Sequence, residues 1–265
     1  GGESVKERKN KQENPLKINI LGATPLDFSI NSTLDSIKEF LSRHFEIISI
    51  FAMGSSIEDI QRAGEADVNL VISSVGVLAA KVLEERFHTP YVIGTPIIGF
   101  ENVLAEKLIE SAWTKKSQTA YFSVLQKAHK KDTANFTTMQ NAEAVSNLKK
   151  IRSLTETIEK NKVSGNVYII GESVISQSLK AALALRYGIE ATVICPLETE
   201  PEYTEKDVLL LSSEEDIKEA IMDADTVIAD PIYKTICSEK VNFVAMPHEA
   251  YSGRIYRKEV CDFIH

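Results

Sequence analysis

Residues 68–94, "VNLVISSVGVLAAKVLEERFHTPYVIG", carry one full cycle of the pattern that decides the fold. Val68 to Ser74 is a short apolar run ending in two serines. "GVLAAKVLEERF" then spaces its apolar residues as a helix does, and "TPYVIG" (89–94) is apolar again. Both flanking runs are short, β-branched and nearly continuous in apolar residues. Strands covered on both faces of a parallel sheet read this way, whereas a half-exposed strand would alternate.

The cycle extends in both directions. Upstream, "KINILG" (17–22) reads as a strand ending at Gly22, and "FEIISIFA" (45–52) as the next. Between them Leu34, Ile37, Phe40 and Leu41 recur at helical spacing behind Ser32 or Thr33, either of which can cap. "SSIEDIQRAGEA" starts a helix with Ser55 or Ser56 as N-cap, and Glu58 or Asp59 in its first turn suits the helix dipole. Downstream, a helical pattern runs from Glu101 to about Lys131 with Val103, Leu104, Leu108 and Ile109 on one face. A second, 141–161, places Val145, Leu148, Ile151, Leu154 and Ile158 on one stripe. The alternation then resumes: strand "GNVYIIG" (165–171), a helix from Ser173 to a C-terminal cap at Gly188, and strands "EATVICPL", "KDVLLLSS", "DTVIAD" and "VNFVAMP" with helix "EEDIKEAIMD" among them.

The predicted fold class is α/β, with two doubly wound, mainly parallel-sheet, Rossmann-like domains joined by long helices. The predicted division is a mobile lead-in over 1–16, a first α/β domain with a trailing helix over 17–131, a helical connector over 132–161, and a second α/β domain over 162–265. The two halves read as one architecture used twice.

The totals exclude several functions. The net charge is -8, which argues against nucleic acid, because phosphate binding needs a basic face, and against anionic lipid. No run approaches the roughly 20 apolar residues of a membrane span. The start, "GGESVKERKNKQENP", lacks the apolar core of a signal peptide. The three cysteines, Cys195, Cys237 and Cys261, are far apart and read as reduced thiols of a cytoplasmic protein. A cluster held by this chain alone would need about four thiolates.

In open α/β sheets ligands bind beyond the carboxyl ends of the strands, where the strand order reverses. The residues presented there are the candidates for ligand binding: Gly22 and Thr24; Ser73 and Ser74; Gly94 and Thr95; Gly171, Glu172 and Ser173; Tyr233; and, in "FVAMPHEAYSGRIY", Tyr251, Ser252 and Arg254. Facing strand ends in two domains would form a cleft. No G-x-G-x-x-G follows a strand, and there is neither a P-loop nor a G-x-S-x-G elbow. Of the five histidines, His44 and His88 sit at helix ends, His129 lies among lysines and His265 is terminal. His248 alone follows a strand directly. It is either the polar edge of that strand or an acid–base group or metal ligand.

Five stretches, "INILGATPLDFSINSTLDSIKEFL", "GSSIEDIQRAGEADVNLVISSVGVLAAKVLEERFHTPYV", "GNVYIIGESVISQSLKAAL", "DTVIADPIYKTI" and "FVAMPHEAYSGRIY", resemble in order and wording the nitrogenase component 1 family. That family includes molybdenum–iron protein subunits, cofactor-assembly scaffold subunits and dark-operative protochlorophyllide reductase subunits. The resemblance spans residues 17–255 and corresponds to the second and third of the family's three α/β domains. It implies an oxidoreductase component that holds a metal-containing or tetrapyrrole-type ligand in the cleft. Electrons would come from an ATP-dependent iron–sulfur reductase partner, and an identical or paralogous subunit would make a dimer. An iron–sulfur cluster would require cysteines from a further N-terminal domain.

The "YSG" match sets His248 near the histidine that holds the nitrogenase cofactor, so that His248 becomes the catalytic and metal-ligand candidate. The "NLV" match sets Ser73 where the family's cysteine ligand stands, and a serine hydroxyl is a poor iron ligand beside a thiolate. The resemblance therefore favours a tetrapyrrole or another metal-containing ligand over the iron–molybdenum cofactor, with Tyr251 and Arg254 orienting carboxylates. Three other readings stay open: a non-catalytic carrier or assembly scaffold of the same family, a two-domain receptor for a metal complex, and a small-molecule enzyme with an unrecognised site.

Overall fold

The computed structural model describes residues 15–28, 33–122, 124 and 152–264. The first strand, β1 (Leu16–Leu21), leads into a single helical turn, α1 (Pro25–Phe28), then α2 (Thr33–Ser42) and β2 (Phe45–Ile50). Next come α3 (Ile57–Gln61), β3 (Val68–Val71), α4 (Val77–Phe87), β4 (Tyr91–Ile93), α5 (Glu101–Thr114) and the two-residue β5 (Gln118–Thr119). The second part holds β6 (Arg152–Ser153), α6 (Leu154–Lys160), β7 (Val167–Ile170), α7 (Ser173–Tyr187), β8 (Ala191–Cys195) and β9 (Leu209–Leu210). It ends with α8 (Glu214–Ala220), β10 (Thr226–Ala229), β11 (Asn242–Ala245), α9 (Gly253–Tyr256) and β12 (Cys261–Asp262).

The strands form two five-stranded sheets, ordered β2-β1-β3-β4-β5 and β11-β10-β7-β8-β9, with every pairing parallel. The α/β class holds and each half is a five-stranded parallel sheet, but the two halves differ in strand order. The first sheet reverses its order between β1 and β3. The second has two strands on each side of β7 and reverses between β7 and β10. Strand runs of similar composition cannot signal this difference, because the order depends on which side of the first strand each crossover returns to.

A buried polar group pins the centre of the first sheet. Asn19 donates to Asn69 Oδ1 at 2.7 Å and to the Ala63 carbonyl at 2.8 Å, and Ser49 donates to Asn19 Oδ1 at 2.7 Å. All three side chains are buried. The network works only with β2, β1 and β3 adjacent and in this register, since any slip leaves buried amides unpaired.

Helix α7 is the spine of the molecule. Its first eleven residues, Ser173 to Leu183, are all buried. Leu179 and Leu183 belong to a core cluster that also contains Ile18 and Leu70 of the first sheet and Val193 of the second. A smaller cluster, including Ile194, Ile217 and Val227, fills the far face of the second sheet. The polar residues of α7 are matched individually. The Thr95 N–H donates to Ser178 Oγ at 2.9 Å, Gln177 Nε2 donates to Tyr121 Oη at 3.1 Å, and Lys180 pairs with Asp207 at 2.6 Å. Gly188 caps the helix at φ 65, as its position predicts.

The predicted helix over 141–161 is shorter among the described residues. Arg152–Ser153 is extended and pairs in parallel with Cys261–Asp262, and α6 begins only after Ser153, whose side chain accepts from Glu156 N–H. Helix α5 stops at Thr114, where Lys115 turns left-handed at φ 55. The last residues pack back on the first half. Ser36 donates to Asp262 at 2.6 Å, and the Ile98 N–H donates to the Phe263 carbonyl at 2.8 Å. The lead-in through residue 14, Ser32, the predicted helix between 125 and 151 with Val145, Leu148 and Ile151, and His129 and His265 lie outside the described residues.

Candidate functional site

The strand carboxyl ends of the two sheets do meet, and they meet in contact rather than across open space. At the first reversal point Gly22 lies at φ 86 directly over Ser73, and an added Cβ would sit 2.7 Å from Ser73 Oγ. Ser73 is fully buried and donates to the Gly22 carbonyl at 2.7 Å. Gly76 is pressed so close to β1 that a Cβ there would lie 2.7 Å from the Leu21 carbonyl carbon. These groups are small and neutral, and they close the end of the sheet by packing.

At the second reversal point the chemistry differs. Glu172, at the end of β7, is almost wholly buried. One carboxylate oxygen accepts from the Ile175 N–H at 2.8 Å, capping α7, and the other from the Ser74 N–H of the first half at 2.8 Å. Burial pushes its pKa up from the ordinary 4.5, against the pull of those hydrogen bonds. Asp230, at the end of β10, is also buried. Its Oδ2 accepts from the His248 N–H at 2.8 Å and from Ser252 Oγ at 2.7 Å, and its Oδ1 from the Ile232 N–H at 3.0 Å. Asp230 thus ties the loop after β11 to the loop after β10.

That loop carries His248. Its Nδ1 accepts from the Ala250 N–H at 3.3 Å, which assigns the proton of the neutral ring to Nε2. Nε2 lies 2.9 Å from Asp27 Oδ1 in the first half, with the two side chains 17% and 10% exposed. The oxygen sits off the N–H axis, so the contact is a close approach rather than an aligned hydrogen bond. Asp27 is itself held, because Thr24 Oγ1 donates to its Oδ2 at 2.6 Å. The Tyr251 ring is tilted against the imidazole at 5.2 Å, with Tyr233 6.4 Å beyond it. The Tyr251 hydroxyl is buried without a hydrogen-bond partner among the described residues. Burial, with smaller contributions from Tyr233, Cys195, Glu172 and Asp230, raises its pKa.

The predicted site residues therefore separate. Thr24, His248, Tyr251, Ser252 and Tyr233 gather around the Asp27–His248 contact. Ser74 and Glu172 join the halves beside it, and Ser173 Oγ meets Thr199 Oγ1 at 3.1 Å. Gly22 and Ser73 are packing groups beneath the junction. Gly94 is buried, with space for a Cβ limited by Leu104, and Gly171 abuts Ser176 Oγ. Thr95 is committed to Ile72 and Ser178. Arg254 is exposed. Asp27 is the residue that sequence reasoning passed over, and Asp230 was read only as the end of a strand. The signals existed: Thr24 and Asp27 have the spacing of a capping pair, and Asp230 precedes a proline at the first position of a turn.

A cavity of about 590 Å3 lies elsewhere, lined by Asn166, Tyr168, Lys180, Glu190, Asp207 and Asp223 among others. It opens at the amino ends of β7 and β8, opposite the end where sheets of this kind bind ligands. The cysteines do not converge either. Burial raises the Cys195 thiol to about 11 and lifts Cys237 as well, so neither is a ready thiolate. Among the described residues no three His, Cys, Asp or Glu side chains are grouped to hold a metal ion. For an iron–molybdenum group the poor fit is at Ser73, a buried hydroxyl already donated to Gly22 where a thiolate would be needed. Also among the described residues, no helix is long and apolar enough to cross a membrane.

Comparison with known proteins agrees with this architecture. The family model for nitrogenase component 1 type oxidoreductases matches residues 2–231. One subunit of the light-independent protochlorophyllide reductase of Nostoc punctiforme is 32% identical over 82 residues, 30% of this chain and 16% of that protein. The corresponding protein from Leptolyngbya boryana is 36% identical over 89 residues, 33% of this chain and 17% of that protein. The matched stretch is thus a small part of those reductase subunits. A solved nitrogenase, "Nitrogenase Cp1 at pH 5", superimposes with a TM-score of 0.52 at 13% identity, covering 92% of this chain and 53% of that one. That likeness is one of fold, and the present chain spans about half the nitrogenase chain. The chain belongs to the nitrogenase component 1 type oxidoreductase family.

Proposed function

We propose that this member of the family is a component of an oxidoreductase that takes a metal-containing or tetrapyrrole-type ligand between its two sheets and receives electrons from an ATP-dependent iron–sulfur reductase partner. The observation that carries the proposal is His248. It stands at the carboxyl end of β11, its backbone is fixed by Asp230, and its Nε2 faces the other half. A tetrapyrrole needs one axial imidazole or one proton donor from the protein, and the site has one imidazole. It does not need the several ligands of a cluster. Tyr251 supplies a hydroxyl without a committed partner beside that ring, and Thr24 and Ser252 supply further polar groups. Arg254, exposed on α9, is the cation for a ligand carboxylate. The protochlorophyllide reductase relatives are themselves subunits of a larger enzyme. That supports pairing with an identical or paralogous subunit, and the proposed location is the cytoplasm.

Ser73, Thr95, Glu172 and Ser173 are all buried at the junction. A ligand of this size therefore requires the halves to part, and the apparent affinity falls with the fraction of molecules that are open.

The test is an anaerobic optical titration with hemin as probe. Wild type should give a Soret shift at stoichiometric hemin, and His248→Ala should lose it. A wild-type spectrum that never departs from free hemin would sink the reading. The second reading, a carrier or assembly scaffold, is favoured by the absence of a clustered donor set among the described residues. Stable ligand binding with no electron uptake from a reductase partner would select it.

A further inference from the structure

We propose that Asp27 is a positioning residue for His248 and that Glu172 is its counterpart across the junction, so that the Nε2 side of the imidazole is held only while the two halves are closed. The inference rests on the reading of His248 as the reactive group of the site, and it adds the two residues that make its geometry depend on both halves.

Beside the site each half gives a carboxylate to the other, in addition to the Ser36–Asp262 bond and the Lys81 pairs with Glu200 and Glu202. Asp27, in the turn after β1, reaches His248 in the loop after β11, and Glu172, at the end of β7, reaches the Ser74 N–H at the start of the helical segment after β3. The partners are set in advance by their own halves. The Asp27 and Phe28 N–H groups both donate to the Thr24 carbonyl, Thr24 Oγ1 holds Asp27 Oδ2, and the buried Phe28 anchors this turn in the core. This leaves Asp27 Oδ1 to face the imidazole. On the other side Asp230 fixes the His248 backbone, and Ala250 fixes Nδ1. Neither arrangement needs the other half, so the Asp27–His248 contact is made by closure and lost by opening. Glu172 bonds to the first half by accepting the Ser74 N–H in a site without solvent, where an unmade hydrogen bond is costly. It closes the junction without touching His248. Parting the halves uncovers Nε2, the face a ligand would use, and removes the carboxylate that orients the ring.

The experiment follows His248 in the full chain without ligand. Histidine side-chain 15N correlation spectra, with His248 assigned by its loss in His248→Gln, should show one ring with its proton on Nε2. Carbethoxylation by diethylpyrocarbonate at fixed pH should be slow there. Asp27→Asn keeps the side chain's shape, and it should shift the ring resonances and speed modification about tenfold. Asp27→Glu should restore slow modification in part. Glu172→Ala, which removes no hydrogen bond to the ring, should speed modification of His248 as Asp27→Asn does. Urea unfolding and the unchanged reactivity of His88 in each variant separate this from general loosening. Unaltered His248 spectra and rates in folded Asp27→Asn would overturn the proposal, as would a Glu172→Ala effect no greater at His248 than at His88. Hemin binding is read separately. A wild type that ignores hemin overturns the ligand reading alone, and an imidazole indifferent to Asp27 overturns the clasp alone.

Discussion

The two reversal points of the molecule close by opposite means. Between β1 and β3 the chain meets itself through Gly22, Ser73 and Gly76, with no charged group involved. Between β7 and β10 it meets itself through Glu172 and Asp230, two buried carboxylates that accept hydrogen bonds from several neighbouring loops and turns. Neutral packing gives a rigid wall, since nothing there can change state. Buried carboxylates give a site whose geometry depends on charge and on which donors are present. The first half thus supplies shape with Asp27 as its charged contribution, and the second supplies the imidazole and the groups that hold it.

Five substitutions would break or sharpen that contrast. Asp230→Ala strands the His248, Ser252 and Ile232 donors together and should cost about 3 kcal/mol in urea unfolding. If the loss is no larger than that of an average surface change, Asp230 does not organise the loop. Gly76→Ala drives a methyl into the backbone of β1 and should cost about 2–3 kcal/mol, the packing counterpart on the neutral side. A cost near zero, or the gain that Gly→Ala gives on a helix surface, would mean that the wall yields.

Glu172→Gln reads the charge directly. Burial raises the folded-state pKa of Glu172 above its unfolded value, so the native protein holds that proton more tightly. Its contribution is complete below the ordinary carboxylate pKa of 4.5 and is lost as pH rises through the raised value. Wild type should therefore lose stability relative to Glu172→Gln across that window, by at most about 1.4 kcal/mol per pH unit for one proton. Parallel pH profiles of the two proteins would contradict the assignment.

Ser73→Cys addresses the residue that the family resemblance sets at a ligand position. Ser73 is fully buried beneath Gly22. The larger sulfur should cost about 1 kcal/mol by crowding, and the new thiol should resist a disulfide reagent in the native state. Rapid labelling would show instead that the junction opens often. The smallest effect belongs to Ser56→Ala. Ser56 and Asp59 form a capping box at α3, whose residues are all outside the core, and the loss should be about 0.5–1 kcal/mol.

The legible part of the fold was the part written locally. Apolar runs placed the long strands to within a few residues, the Ser56 cap and the Gly188 stop fall where the sequence puts them, and the strand after Gly165 feeds the helix that begins at Ser173. Of the two-residue strands, β9 lies within the predicted strand "KDVLLLSS", whereas β5, β6 and β12 were not legible, being too short to carry a period. In the site, His248 could be singled out because it directly follows a strand. Asp27 could not, because its partner lies at the other end of the chain and a Thr-x-x-Asp spacing is satisfied by a helix cap alone.

The sequence by itself determined the parallel α/β class, the capped helix ends at Ser56 and Gly188 and the set of residues that strand ends present. These depend on neighbours within a turn or two, and periodicity and caps encode such neighbours. Tertiary structure alone decided the order of the strands, the burial of α7 between the sheets and the pairing of Asp27 with His248. Buried parallel strands all carry the same apolar composition, so their order follows from which arrangement covers the most apolar surface and leaves no buried amide unpaired. Asn19 and Asn69 show the second condition: each is an isolated polar residue in an apolar run until β1 and β3 lie side by side.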